Sequence, residues 1–186
     1  MSDGHDNPWK TLATRVAFEN PWIRLEEHDV INPRGGSNCY GKVCFRNLAV
    51  GVIPLDPDGN TWLVGQFRYT LGEYSWEIPE GGSPLGENPI DTARRELREE
   101  TGLSAETITP LMRIHTSNSV TDEEGFIYVA EGLIEGETDF EDTEAITVRK
   151  LPFDEAVAMV MRGEITDSLS IAGLLKLAAL RGLRSA

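Results

Sequence analysis

Glutamates crowd one short segment of the chain, and they are the side chains best suited to chemistry. Glu96, Glu99 and Glu100 lie close together in a stretch that is also rich in arginine. On a helix, at 100° per residue, these three carboxylates fall on one flank beside an apolar stripe that can pack on a sheet. Like charges three and four residues apart destabilise a helix by about 0.2–0.5 kcal/mol per pair, so the cluster calls for compensation.

Two kinds of partner could compensate these carboxylates. A divalent cation is one, because oxygen ligands without histidine or cysteine favour Mg²⁺ or Mn²⁺, and Mg²⁺ commonly bridges carboxylates and substrate phosphates. A solvated helix face is the other, in which the glutamates pair with Arg94, Arg95 and Arg98. The residues that surround the cluster must decide between them.

The helix that should carry the glutamates has both ends marked. Asn88 can cap its amino end, Pro89 suits the first helical position, and Asp91 favours the positive end of the helix dipole. Gly102 can adopt the left-handed conformation that terminates a helix. We therefore expect one helix between Asn88 and Gly102, preceded by a glycine-rich loop at 80–86.

The remaining patterns predict a mixed α/β architecture with helices packed on a sheet. The dense turn signal at 56–60 predicts that the strands on either side of it pair as a hairpin. A cap at Asp154 should start the second helix. The expected strands are 22–31, 40–45, 48–55, 61–69, 111–114, 125–130 and 146–151, and the expected later helices are 154 to about 162 and 168–180.

Composition limits the classes of protein that fit. The chain has 186 residues, 40% apolar and 26% charged, as in a folded domain with or without an appended arm. With 31 acidic against 17 basic residues, its charge of −14 disfavours nucleic-acid partners. We find no secretory signal and no membrane-spanning apolar run. Cys39 and Cys44 lie in an extended stretch, beyond disulfide reach, and free thiols favour the cytoplasm.

A longer pattern around the glutamates resembles a known family. Residues 81–103 resemble the Nudix box at every fixed position, which favours the cation over the solvated face. The resemblance implies an α/β/α sandwich with a mixed sheet and an N-terminal β extension, in which the box forms a loop, a helix and a loop. The matching positions are Gly81, Glu87, Arg95, Glu96, Leu97, Glu99, Glu100, Gly102 and Leu103.

The same resemblance implies roles for the residues of the box. It implies an Mg²⁺-dependent hydrolase, with Mn²⁺ as a possible substitute, that cleaves a nucleoside diphosphate linked to another group. Glu96 and Glu100 would be the main metal ligands, with Glu99 nearby and Glu80 contributing its carbonyl. Arg95 would pair with Glu87 to brace the loop.

Segments 65–69 and 76–81 resemble those of ADP-ribose and nucleoside-diphosphate-sugar pyrophosphatases. Arg68 is then the candidate residue to bind a phosphate, and the alternative is a surface arginine on an edge strand. Gln66 and Tyr69 are further candidate substrate contacts, although Tyr69 also suits packing. Ser119 is a fourth candidate. Ser119 or Asn118 stands where ADP-ribose pyrophosphatases usually carry a proline, so a different or broader sugar nucleotide remains an alternative.

The general base in this subfamily commonly comes from an acidic loop after the box. That loop corresponds here to 141–144, and Glu144 is the first candidate and Glu141 the second, with Glu99 of the box as a further catalytic candidate. The alternative is a charged solvent loop. His115 could also act as a base, but a lone histidine at the end of a strand is more often structural.

The first 46 residues exceed a minimal Nudix fold. We expect residues 1–46 to form a strand extension that serves as a dimerisation arm, and residues 47–186 to form the hydrolase domain. Related enzymes complete a homodimer with such an arm. Trp9, Phe18 and Trp22 are candidate interface aromatics, unless they simply cap the sheet.

The patterns together predict a cytoplasmic hydrolase of nucleoside diphosphate sugars such as ADP-ribose or GDP-mannose. Its products would be a nucleoside monophosphate and a sugar phosphate. Hydrolysis of nucleoside triphosphates or dinucleoside polyphosphates is an alternative, which the N-terminal arm and segment 66–69 argue against. A catalytically silent nucleotide sensor is another, against which the three box carboxylates argue.

Overall fold

The computed structural model of the chain describes residues 6–138 and 145–184, and it divides into two compact units. One unit is Met1–Asn47 with Ser117–Glu123, and the other is Leu48–Thr116 with Glu124–Ala186. The elements are β1 (Lys10–Glu19), β2 (Ile23–Ile31), β3 (Ser37–Phe45), β4 (Asn47–Pro54), β5 (Asn60–Arg68), β6 (Glu73–Glu77), β7 (Glu80–Pro84), α1 (Pro89–Thr101), β8 (Leu103–His115), β9 (Glu124–Glu135), β10 (Thr147–Pro152), α2 (Phe153–Met161) and α3 (Ser168–Arg184).

The first unit is built on an antiparallel sheet in the order β1-β2-β3. Strands β2 and β3 match the expected strands and are joined by the expected turn, in which Asn32 Oδ1 accepts from the Arg34 and Gly36 amides. Strand β1 was not expected. Every residue of β1 is exposed, so it lacks the alternation of buried and exposed positions by which a half-buried strand is recognised.

The second unit has helices on both faces of a four-stranded sheet in the order β7-β4-β9-β8. Val50 and Val52 of β4 pack with Leu97 of α1 on one face. Ile53 packs with Phe153 of α2 on the other. Apolar side chains of helix α3 pack in the same cluster as Ile53 and Phe153. This arrangement confirms the predicted α/β/α sandwich with a mixed sheet, in which β4 runs parallel to β9 while β8 is antiparallel to it.

The predicted hairpin between β4 and β5 is wrong. The turn exists, with the Asp56 amide donating to the Asn60 carbonyl at 3.0 Å. However, β4 pairs with β7 and β9, whereas β5 lies between β10 and β6 in a second sheet. The run from Val50 to Pro54 is buried throughout, as in a central strand covered on both faces. A turn signal reports where the chain reverses and does not specify which strands share hydrogen bonds.

Some element ends also differ from the expected ones. Strands β8 and β9 are longer than expected because the ladder continues past Pro110 through a register shift. Helix α2 begins at Phe153, and Pro152 takes the cap position without a side-chain hydrogen bond, so Asp154 lies in the first turn and the predicted cap is wrong. The expected loop at 80–86 contains strand β7.

The expectations of free cysteines and of no membrane-spanning segment can be compared with the described residues. Cys39 and Cys44 are both free, as expected. No helix in residues 6–138 or 145–184 is long and apolar enough to cross a membrane.

Candidate active site

Helix α1 has the ends that its sequence predicts. The Asn88 side chain accepts from the Ile90 amide at 3.4 Å, and Pro89 opens the helix. Gly102 is left-handed, with φ of +72°, and its amide donates to the Arg98 carbonyl at 2.8 Å. These local signals set where α1 begins and ends, and therefore where its glutamates lie along the helix axis.

Packing sets the rotation of α1 about its axis. Ala93 and Leu97 are fully buried against the sheet. Because residues three and four apart share one face, Glu96 and Glu100 are drawn inward and are only 8% and 1% exposed. The Glu99 side chain lies further out and is 19% exposed. The carboxylates are therefore buried as a consequence of burying the apolar stripe.

The two buried carboxylates meet the backbone at the start of β7. The Glu80 amide donates to Glu100 Oε2 at 2.8 Å. A Cβ atom built on Gly81 would lie 2.2 Å from Glu96 Oε1, so a larger residue at position 81 would have to displace the Glu96 carboxylate. The glycine of the box thus permits the close approach of Glu96 to the backbone, and Glu96 and Glu100 both lie beside the Glu80 peptide.

Arg95 holds the outer side of this cluster. Its Nη1 contacts Glu96 Oε1 at 2.8 Å and Glu99 Oε2 at 3.0 Å, and its Nη2 donates to the Gly82 carbonyl at 3.1 Å. Burial lowers the pKa of Arg95, but the charges of Glu96 and Glu99 outweigh it and the net pKa is raised.

The predicted brace between Arg95 and Glu87 is wrong as a direct pair. Glu87 Oε1 instead accepts from the Thr92 hydroxyl at 3.1 Å. Glu99 is one helical turn from Arg95, whereas Glu87 precedes the helix cap and is closer to the first turn. Glu87 acts on Arg95 only through its charge, which raises the pKa of Arg95.

Arg68 lies among carboxylates at the end of β5. Its Nε donates to both Glu77 oxygens, at 2.9 and 3.0 Å, and its Nη2 contacts Glu77 Oε2 and, at 3.1 Å, Glu80 Oε1. Glu77 is 2% exposed, and its hydrogen bonds with Arg68, together with its charge, raise the pKa of Arg68. Within the described residues β10 pairs with β5 only as far as Gly65, and Arg68 lies opposite Glu73 of β6. The ion pairs with Glu77 and Glu80 favour a positioned arginine over the alternative of a surface arginine on an edge strand.

Glu80 joins the Arg68 cluster to the α1 cluster. Its side chain contacts Arg68, while its amide holds Glu100. The other side-chain oxygen, Oε2, is buried and has no hydrogen-bond partner among the described residues. Burial, then the charges of Asp167 and Glu77, raise the pKa of Glu80 well above its usual value, and Arg68 opposes them.

Asp167 belongs to this site and was missed by the sequence analysis. The charge of Asp167, and a hydrogen bond between the two side chains, help to raise the pKa of Glu80. Asp167 Oδ2 also accepts from the Ser170 amide at 2.7 Å, which caps the start of α3. An aspartate just before a run of helical spacing is a cap signal, and that signal could have singled out Asp167, although not its neighbours in space.

The other candidate residues lie in several places. Gln66 is half-buried on β5 opposite Ser75, and Tyr69 is 93% exposed just beyond that strand. Ser119 is in the first unit, where its carbonyl accepts from the Tyr40 hydroxyl at 2.6 Å. His115 ends β8, and its Nε2 lies 3.5 Å from Arg113 Nη2. Glu141 and Glu144 lie outside the described residues.

Comparisons with known proteins agree with this geometry. The NUDIX domain model matches residues 45–169. A second family model, described as the nucleoside diphosphate sugar hydrolase N-terminal domain, matches residues 9–39. The chain belongs to the Nudix family.

Named Nudix relatives span most of the chain. An ADP-ribose pyrophosphatase of Mycobacterium tuberculosis is 39% identical over 173 residues, covering 91% of this chain and 83% of that protein. A GDP-mannose pyrophosphatase of Yersinia enterocolitica is 35% identical over 175 residues, covering 87% and 91%. The crystal structure of an ADP compounds hydrolase matches with a TM-score of 0.83 at 19% identity, over 94% of this chain and 95% of that one, which shows the shared fold.

Nudix hydrolases generally use divalent metals. Within the described residues, no three acidic, histidine or cysteine side chains form a ready metal cage. The available donors nevertheless fit a hard cation, because Glu96, Glu100 and the Glu80 peptide offer only oxygen ligands from two rigid elements. Mg²⁺ needs few protein ligands, since it keeps several waters and also takes substrate phosphates.

We expect Gly81→Ala to weaken divalent-cation binding without unfolding the protein. The new Cβ would displace the Glu96 carboxylate from the Glu80–Gly81 backbone. Mn²⁺ affinity, measured by electron paramagnetic resonance, should fall by about 10–100-fold. Gly41→Ala is the matched control, because nothing lies within 4 Å of its Cβ position. Equal Mn²⁺ affinity in the two variants would contradict this placement of Glu96.

Proposed function

We propose that this Nudix protein is an Mg²⁺-dependent hydrolase of nucleoside diphosphate sugars. The products are a nucleoside monophosphate and a sugar phosphate. One observation carries the proposal: Glu80 joins the buried carboxylates of α1, which suit a cation, to Arg68, which suits a phosphate. The names of the relatives, ADP-ribose pyrophosphatase and GDP-mannose pyrophosphatase, support this substrate class.

Glu96 and Glu100 would hold Mg²⁺ together with the Glu80 carbonyl, and Glu99 would assist at the outer side. A bound cation neutralises phosphate charge, orients the diphosphate and lowers the pKa of coordinated water. Mn²⁺ has similar ligand preferences and should substitute. The position of Glu96 and Glu100 supports these roles, because α1 holds both carboxylates beside the Glu80–Gly81 backbone, where one divalent cation can bind them together.

Arg68 would bind the diphosphate. Its described contacts with Glu77 and Glu80 use Nε and Nη2, so Nη1 can donate to a phosphate oxygen. The bidentate pairing with Glu77 holds the guanidinium plane in one orientation, which reduces the entropy lost on binding. Gln66 and Tyr69, near the same end of β5, would contact the rest of the substrate, and Ser119 is proposed as a further contact.

Glu144 is proposed as the general base, with Glu141 as the second candidate and Glu99 as the third. A base must reach the attacking water, and an acidic loop after the box can bring a carboxylate to it. The loss of this base should lower turnover while sparing the cation site. Glu144→Gln should therefore reduce kcat strongly at nearly unchanged Mg²⁺ affinity, and an unchanged kcat would remove Glu144 from the mechanism.

We also propose that the chain acts in the cytoplasm as a homodimer formed through residues 1–46, with residues 47–186 as the hydrolase domain. The two free cysteines support a reducing compartment. Large apolar side chains are exposed along the first unit, which favours a protein contact over solvent. They are Trp9, Leu12, Val16, Phe18 and Trp22. A solution mass of one chain, at the concentrations used for turnover, would contradict the dimer.

The function is tested by turnover of the purified protein on a substrate panel, with Mg²⁺ and with EDTA. The panel contains ADP-ribose, ADP-glucose, GDP-mannose, UDP-glucose, nucleoside triphosphates and dinucleoside polyphosphates. We expect Mg²⁺-dependent release of nucleoside monophosphate from sugar nucleotides. Glu100→Gln should abolish that release, while the control Glu131→Gln, which alters an exposed carboxylate of β9, should retain it.

Other outcomes of the panel would replace the proposal. Cleavage of triphosphates or dinucleoside polyphosphates alone would assign a different hydrolase activity. Binding of nucleotide without any cleavage would assign a sensor. Release that persists in EDTA would exclude the role given to Mg²⁺.

A further inference from the structure

The loop between β8 and β9 folds with the first unit. Residues 117–123 connect two strands of the second unit, yet they group with Met1–Asn47. The backbone of this 117–123 loop pairs with β3. The Val43 amide donates to the Val120 carbonyl at 2.9 Å, and the Asp122 amide donates to the Val43 carbonyl at 3.2 Å. The 117–123 loop therefore extends the first sheet at the edge of β3 that β2 leaves unpaired.

Two side chains of β3 fasten the 117–123 loop. The Tyr40 hydroxyl donates to the Ser119 carbonyl at 2.6 Å. Lys42 Nζ lies 2.7 Å from Asp122 Oδ2, and Oδ1 of the same carboxylate accepts from the Phe45 amide at 2.9 Å. Tyr40 and Lys42 are two residues apart on one strand, so their side chains lie on the same face of the sheet. One strand therefore holds the loop at both Ser119 and Asp122.

The side chains that the 117–123 loop exposes suit a sugar. Ser117, Asn118 and Ser119 are all exposed, and all three are neutral hydrogen-bonding residues. Hydroxyl and amide groups both donate and accept, as the hydroxyls of a sugar do, whereas arginine or lysine suits a phosphate better. Because Tyr40 contacts the carbonyl of Ser119, that contact leaves the Ser119 hydroxyl available to a ligand.

We propose that Tyr40 and Lys42 are positioning residues that hold the 117–123 loop so that the Ser119 hydroxyl binds the sugar of the substrate. This inference rests on the proposed hydrolysis of nucleoside diphosphate sugars. An exposed loop loses conformational entropy when it binds a ligand, and contacts that order it beforehand reduce that loss. The first unit thereby contributes to sugar binding, although neither Tyr40 nor Lys42 touches the substrate.

Tyr40→Phe tests the inference with little change in packing. Phenylalanine keeps the ring, whose centroid lies 5.7 Å from that of Trp9, and removes the hydrogen bond to Ser119. With Mg²⁺, we expect KM for ADP-ribose to rise about three- to tenfold at nearly unchanged kcat, because the sugar is bound alike in the ground state and the transition state. Inorganic pyrophosphate has no sugar, so its inhibition constant Ki should stay at the wild-type value.

Asp122 supplies a second pair of variants. Asp122→Ala loses both the Lys42 ion pair and the contact with the Phe45 amide, so KM for ADP-ribose should rise by about threefold or more. Asp122→Asn keeps an oxygen for the Phe45 amide and should recover part of that loss. Arg15→Gln is the control, because it breaks the ion pair with Glu27 between β1 and β2 of the same sheet and should leave KM unchanged.

Positioning and a purely structural role give different results. If Tyr40 only stabilises the first unit, Tyr40→Phe lowers Tm and leaves KM for ADP-ribose unchanged. An equal rise in KM and in Ki for pyrophosphate would assign the effect to the diphosphate instead of the sugar. In a Ser119→Ala background, Tyr40→Phe should change KM less than about twofold, because both changes act on one contact. An unchanged KM, an equal rise in Ki, or a full effect in the Ser119→Ala background would each overturn the inference.

Failure of the proposed function can be distinguished from failure of this inference. Wild-type protein that binds ADP-ribose but does not hydrolyse it with Mg²⁺ would defeat the hydrolase, and dissociation constants from calorimetry would then decide the role of Tyr40 in the same comparison. Wild-type protein that hydrolyses ADP-ribose, with KM unchanged in Tyr40→Phe, would leave the hydrolase in place and overturn this inference alone. Wild-type protein that binds pyrophosphate but no sugar nucleotide would overturn both.

Discussion

The contact of two α1 carboxylates with one backbone segment is the constraint on which the candidate site depends. Glu96 lies where a side chain at position 81 would be, and Glu100 accepts from the Glu80 amide. This contact requires α1 to have one rotation about its axis and one position along it. The buried Leu97 fixes the rotation, and the terminating Gly102 fixes the position. The sandwich of sheets and helices therefore holds two carboxylates against the first residues of β7.

The candidate site contains more acidic side chains than arginines to pair with them. Arg68 and Arg95 each contact two glutamates. The acidic groups of the two clusters are Glu77, Glu80, Glu96, Glu99, Glu100 and Asp167. Such an excess is unfavourable in a buried place unless a cation joins it, and a cation in turn attracts a phosphate. A cation held by this excess would allow a chain with a charge of −14 to bind an anionic substrate.

Local signals in the sequence predict α1 and its neighbours well. The cap residues, the apolar stripe and the glycine of the box all act within one helix and the loop before it, so they can be read without knowing the fold. Pairings between distant segments cannot be read in this way. Strands β4 and β5 separate into different sheets, and the Ile78 amide finds Ser170, which is 92 positions further along the chain.

The surroundings of Arg68 illustrate the same limit. The sequence singles out Arg68 as a phosphate ligand, but neither the bidentate contact with Glu77 nor the approach of Asp167 follows from spacing. Both depend on sheet register and on where α3 begins. Residues that bind directly are thus easier to predict than residues that orient them, because orienting residues come from elements that only the folded chain brings together.

The most direct test of the central claim is a crystal structure of the protein soaked with Mn²⁺, with anomalous data collected to locate the metal. We predict an anomalous peak within coordination distance of the Glu96 and Glu100 carboxylates and the Glu80 carbonyl. A Mn²⁺ peak elsewhere in the protein, or none at a saturating concentration, would contradict the account of α1 as the metal-binding helix.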